Sequence, residues 1–80
     1  MQSTDEIHEH LKRVLAALFE VDPAKVRLEA RLYDGLDIDS IDAIDLMLKL
    51  KETTGRKIQP EDFRHVRTVA DIVETVRAML

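Results

Sequence analysis

Ile7, Leu11, Val14, Leu15, Leu18 and Phe19 recur at intervals of three and four residues, which predicts one apolar stripe on an amphipathic first helix. Ser3 followed by Glu6 forms a capping box that starts it, and Asp22-Pro23 is expected to break it. Val26, Leu28, Leu32, Tyr33, Leu36 and Ile38 then stud a segment with neither helical nor strand period, read as a long loop lying against the core. A second helix is predicted from about Asp39 or Ser40 to Thr54. Gly55 supplies its stop, and Lys49, Lys51 and Arg56 stand near its negative end. Gln59-Pro60-Glu61-Asp62 opens a short helical turn. Thr68 with Asp71 caps a last helix on which Val69, Ile72, Val73, Val76 and Leu80 repeat at helical spacing. Strand-like alternation is nowhere sustained. The expected fold is all-α: a small bundle of three main helices plus one short helix, with a long loop between helices one and two.

Laid out at about 100° per residue, the second helix has two apolar faces. Ala43, Leu46, Met47, Leu50 and Thr54 form a charge-free arc assigned to the core. Ile41 and Leu48 point almost the opposite way, beside Asp45 and Glu52, with Ile44 at the margin. Apolar side chains mixed with carboxylates where solvent is expected describe a docking surface. The alternative is that the long loop folds over Ile41 and Ile44 and buries them.

Charge sharpens this reading. Asp34, Asp37, Asp39, Asp42 and Asp45 fall within residues 34 to 45, which contain no Lys or Arg and carry a formal charge of -5. Outside that stretch the 12 basic residues meet 11 acidic ones, so the net charge of -4 is local. A positively charged partner docking there is expected, and nucleic acid and anionic membrane surfaces are not. Eighty residues, 45% of them apolar, suit one domain spanning 1–80 and a monomer. Cysteine is absent, Met1-Gln2-Ser3-Thr4-Asp5-Glu6 lacks the regions of a signal peptide, and no apolar run approaches membrane-spanning length. Met1 followed by a capped helix reads as the start of a complete chain, with the cytoplasm as its default location.

Ser40 lies among these carboxylates where loop enters helix. Serine before an apolar helix is commonly just an N-cap, but Asp39 caps equally well, with Asp42 three residues on. That leaves Ser40 as the first helical residue, its hydroxyl accessible. A phosphate ester there would meet free helix N–H groups and be repelled by Asp37, Asp39 and Asp42, and the opposed effects favour a mobile arm. Other chemistry fares worse. The EF-hand pattern after Asp37 and Asp39 needs a third oxygen ligand and then glycine, where this chain has Ile41 and Asp42, so weak divalent binding is the most allowed. His8 and His10 are two apart on a helix and face different ways, and His65 stands in a polar stretch by Arg64 and Arg67, a poor pattern for zinc. Ser40 has no identifiable general base, so no intrinsic catalysis is expected.

Gly35-Leu36-Asp37-Ile38-Asp39-Ser40-Ile41-Asp42, the Asp22-Pro23 turn before it, and Ile58-Gln59-Pro60-Glu61-Asp62-Phe63 and Thr68-Val69-Ala70-Asp71 after it resemble the acyl carrier proteins over nearly the whole chain. The resemblance implies an acyl-carrier-like bundle in which a phosphopantetheinyl transferase uses coenzyme A to attach phosphopantetheine to Ser40. The arm's thiol would then carry acyl intermediates as thioesters, for fatty-acid, polyketide or aryl-polyene-type biosynthesis. It implies docking through Asp37, Asp39, Ile41, Asp42, Ile44, Asp45, Leu48 and Glu52 to acyl-loading enzymes, ketosynthases and other pathway enzymes with basic patches. Family carriers shelter short or medium acyl chains between their helices, where each buried methylene contributes about 0.8 kcal/mol.

The chain departs from the commonest fatty-acid carriers at several points. Ile41 replaces the usual Leu after the serine, Lys49 and Lys51 stand where acidic carriers tend to have neutral or acidic residues, and glycine and serine are separated by one extra Ile-Asp step. Ser-Ile-Asp-Ala-Ile-Asp-Leu with Thr-Gly-Arg-Lys-Ile-Gln-Pro-Glu-Asp-Phe looks more like dedicated carriers of specialised pathways, such as those building aryl polyene pigments. Asp39 favours an acyl over a typical peptidyl carrier, which often has His there, while a D-alanyl carrier stays open. The alternative from another class is an unmodified helical adaptor whose second helix binds a basic partner.

Overall fold

A computed structural model describes residues 3–80; the opening Met1-Gln2, on which the expectation of a complete chain and part of the signal-peptide argument rest, lie outside the described residues. The main helices are α1, Thr4–Phe19, α2, Ser40–Thr54, and α3, Val69–Met79. Two short 3-10 turns, Pro23–Lys25 and Pro60–Phe63, complete the ordered elements. Among the described residues there is no strand, only an isolated antiparallel bridge between Arg31 and Thr68. The all-α bundle is as expected, with two short turns where one was anticipated.

Helix starts follow the side-chain code. Ser3 Oγ accepts the Glu6 amide at 3.2 Å and donates to Glu6 Oε1 at 3.1 Å. Thr68 and Asp71 form a reciprocal box at the head of α3, with Thr68 Oγ1 accepting from the Asp71 amide and Asp71 Oδ2 accepting from the Thr68 amide. Helix α2 ends on Gly55 at φ 68, where the absent side chain makes the left-handed cap inexpensive. The end of α1 differs from expectation. The helix stops at Phe19, short of Asp22-Pro23, because Glu20 adopts φ 56 and returns its amide to the Ala16 carbonyl. Asp22 instead caps the first 3-10 turn through the Ala24 amide.

The core is built around α1, which packs on both α3 and α2. Ile7, Leu11, Val14 and Leu15 meet Val69, Ile72, Val73 and Val76 of α3, while α2 contributes only Leu46 and Leu50 as fully buried residues. The long loop does lie on the core, since Val26, Leu32 and Ile38 are buried and Leu36 packs against them. Leu28 and Tyr33, expected with them, are exposed instead. Leu32 N–H donates to the Arg67 carbonyl, Val69 N–H to the Ala30 carbonyl and Ala70 N–H to the Leu28 carbonyl, which ties the loop to the head of α3. No helix among the described residues is long and apolar enough to cross a membrane.

The head of α3 gives a pH prediction. Asp71 accepts the Arg67 and Thr68 amides, and these hydrogen bonds hold its carboxyl below the ordinary value of 3.8. A carboxylate depressed in the folded state adds stability that is fully present above the unfolded value and lost as pH falls through the folded one. Asp71→Asn should therefore lower the melting temperature at pH 7, and the gap should narrow as pH falls below the ordinary value of 3.8. Melts of both proteins across that range check this, and a gap independent of pH would contradict it.

Candidate functional site

The segment leading into α2 is fixed before it reaches Ser40. Gly35 and Leu36 both donate their amides to the Arg31 carbonyl, at 3.1 and 2.9 Å, closing a tight turn. Asp37 then takes φ 56, a left-handed conformation that aspartate tolerates better than most residues. Ile38 drops into the core at 1% exposure, with its amide on the Leu32 carbonyl at 2.9 Å. The chain is thus anchored two residues before the serine.

Asp39 caps α2. Its Oδ1 accepts the Asp42 amide at 2.9 Å, and Asp42 Oδ2 accepts the Asp39 amide at 3.3 Å. Ser40 is therefore relieved of capping, as its neighbours predicted. It is the first residue of α2, exposed, and its hydroxyl makes no hydrogen bond among the described residues. The amides of Ser40 and Ile41 are likewise free of protein partners there, as the first amides of a helix are. An exposed, unengaged hydroxyl beside two unpaired helix amides fits a phosphodiester-linked group.

The outer face of α2 is open. Ile41 is 70% exposed, Leu48 59% and Ile44 55%, so the alternative in which the loop buries Ile41 and Ile44 is overturned. The loop is held on the other side, against the head of α3. Asp45 and Glu52 are exposed on the same face, Asp37 and Asp39 are exposed ahead of it, and Asp42 is half-buried. Under the opposite face lies a cleft of ≈ 30 Å³, almost wholly apolar, lined among others by Leu32, Ala43, Leu46, Met47, Phe63 and Ile72. That is room for roughly two water molecules, so the cleft is closed in this form.

The three histidines are dispersed. The His8 ring donates to the Val26 carbonyl, His65 Nε2 meets Thr75 Oγ1 at 3.3 Å, and burial, then Arg13 and Lys49, hold His10 below its ordinary value. Among the described residues no group of three or more His, Cys, Asp or Glu is placed to share a metal ion.

What sequence reasoning missed is Gly35. A methyl group there would stand 2.5 Å from the Arg31 carbonyl oxygen, inside the turn that aims Ile38 and Asp39. The paired amides of residues 35 and 36 on one carbonyl have no side-chain signature; only the glycine itself hinted at them. Gly35→Ala should cost about 1–3 kcal/mol and shift amide resonances from Asp37 to Asp42. Denaturation with an NMR amide map checks this, and an unchanged map would show that the turn absorbs the methyl elsewhere.

Similarity to known proteins extends over most of the chain. The family described as "Phosphopantetheine attachment site" matches residues 9–76. The chain is 49% identical over 75 residues to acyl carrier protein 2 of Ralstonia nicotianae, covering 94% of this chain and 93% of that one. It is 34% identical over 80 residues to an acyl carrier protein of Thermotoga maritima, covering 100% and 99%, and 35% identical over 71 residues to one of Thermosynechococcus vestitus, covering 89% and 88%.

Proposed function

The chain belongs to the acyl carrier proteins, non-catalytic carriers with a covalently attached phosphopantetheine, and from that premise we propose that Ser40 is the attachment residue and the outer face of α2 the docking surface. The observation that carries the reading is the division of labour at the head of α2: Asp39 and Asp42 cap the helix, leaving the Ser40 hydroxyl exposed and unengaged. The group, when bound, supplies a thiol that holds acyl chains as thioesters.

The protein's own residues position that group and present it. Ile38 and the Gly35 turn fix where Ser40 sits, and the Ser40 and Ile41 amides face the phosphate's negative charge. Asp37, Asp39 and Asp42 repel the same charge and keep the arm off the surface. Ile41, Ile44 and Leu48 offer apolar contact, and Asp45 and Glu52 meet a basic patch on the transferase and on pathway enzymes, in the cytoplasm. Opening the cleft beneath α2 would shelter a short or medium chain, and Met47 in its wall adapts readily to such a change. Residues 1–80 act as one monomeric carrier domain.

Ile41, Lys49, Lys51 and the extra Ile38-Asp39 step favour a dedicated specialised pathway, of the aryl-polyene kind, over central fatty-acid synthesis. Intact mass after incubation with a broad-specificity phosphopantetheinyl transferase and coenzyme A tests the reading. Gain of one phosphopantetheinyl group is expected, and a folded chain that gains none would instead support the adaptor.

A further inference from the structure

The acidic stretch ends abruptly. Residues 46 to 57 contain Lys49, Lys51, Arg56 and Lys57 against Glu52 alone, a formal charge of +3 following the -5 of residues 34 to 45. Lys49 is half-buried and pairs with Glu52 at 3.9 Å. Lys51, Arg56 and Lys57 are exposed and have no ion pair among the described residues. Together with Leu48, Glu52 and Gly55 they line one shallow groove at the C-terminal end of α2. That groove continues the apolar line of Ile41, Ile44 and Leu48.

Compensation of the helix dipole does not account for this cluster. A helix C-terminus presents about -0.5 of an elementary charge, which one cation offsets, and three are gathered here. Leu48, exposed on the apolar line of the docking face, borders them in the same groove.

We propose that this groove is a second, basic contact of the docking surface, taking a carboxylate-bearing segment of a partner enzyme while the start of α2 takes a basic one. The inference rests on the carrier reading and adds the polarity of the partner. From Ser40 to Thr54 the helix runs about 20 Å, so the fitting enzyme carries cations near the entrance for the arm and carboxylates about 20 Å along the groove. Enzymes with uniformly basic patches match only half of this face, so the split charge selects among partners. The five carboxylates nearby disfavour an anionic lipid surface.

The test uses holo protein, the ketosynthase of the producing organism as probe, and the triple variant Lys51→Glu, Arg56→Glu, Lys57→Glu. Both proteins are first loaded to completion by the transferase, as read by intact mass. In acyl transfer to the ketosynthase the variant should lose tenfold or more in kcat/KM at about 0.05 M salt, with the gap closing near 1 M, where screening reaches about 3 Å. A folded, loaded variant with unchanged kcat/KM would overturn the second contact and leave the carrier reading standing. Failure of wild type to take phosphopantetheine would overturn both. Binding of wild type to phosphatidylserine vesicles, or self-association in sedimentation, would assign the groove to lipid or to a second copy and likewise overturn the proposal.

Discussion

Ser40→Ala is expected to remain folded and to take up no phosphopantetheine. The two halves of that result have separate causes. Ser40 sits at the first position of α2, exposed, with no hydrogen bond to lose, while Asp39 and Asp42 keep the cap intact. Alanine is also a good helix former, so the stability change should stay within about 0.5 kcal/mol. With the arm on Ser40, as proposed, the ester forms through this hydroxyl, so its removal should abolish carrying altogether. Asp39→Ala should show the converse: the hydroxyl persists, and loss of the cap costs about 1 kcal/mol. Circular dichroism with intact mass on both variants separates the effects. Loading of Ser40→Ala would show that the group is attached elsewhere.

Leu15→Ala is expected to be the most damaging of the core truncations. Leu15 is completely buried in α1, the helix on which both α2 and α3 rest. Removing a buried leucine costs about 2–5 kcal/mol through lost burial and the remaining cavity. An 80-residue protein has about 4–12 kcal/mol in total, so the variant stands near the limit of folding. A loss of about 3 kcal/mol lowers the melting temperature by roughly 12–24 °C. Leu18, one turn from Leu15 and two from Leu11 yet 39% exposed, serves as the control, and Leu18→Ala should cost under about 1 kcal/mol. Equal losses at the two positions would mean that α1 does not organise the core as described.

The sequence-legible parts of this fold are those written in side chains close together along the chain. The Ser3, Asp39 and Thr68 starts and the Gly55 stop were readable because a cap is a contact over three residues or a single left-handed glycine. The exposed face of α2 was readable because its apolar residues fall on two opposite sides of one helix. Other features are set by backbone geometry. Glu20 ends α1 in a left-handed conformation that no glycine announces, and the loop meets the head of α3 through main-chain hydrogen bonds to which any residue could contribute. Leu28 and Tyr33 point outward while Leu32 and Ile38 are buried, a division that no periodicity of this segment announces. At the site, Ser40 and its capping neighbours were legible, and the dependence of their position on the Gly35 turn was not.

The central claim is that Ser40 carries the arm. After loading with coenzyme A and a phosphopantetheinyl transferase, proteolysis and tandem mass spectrometry of the peptide spanning the head of α2 should place one phosphopantetheinyl group on Ser40 and nowhere else. A group found on another hydroxyl residue, such as Ser3, Thr53 or Thr54, would contradict the account.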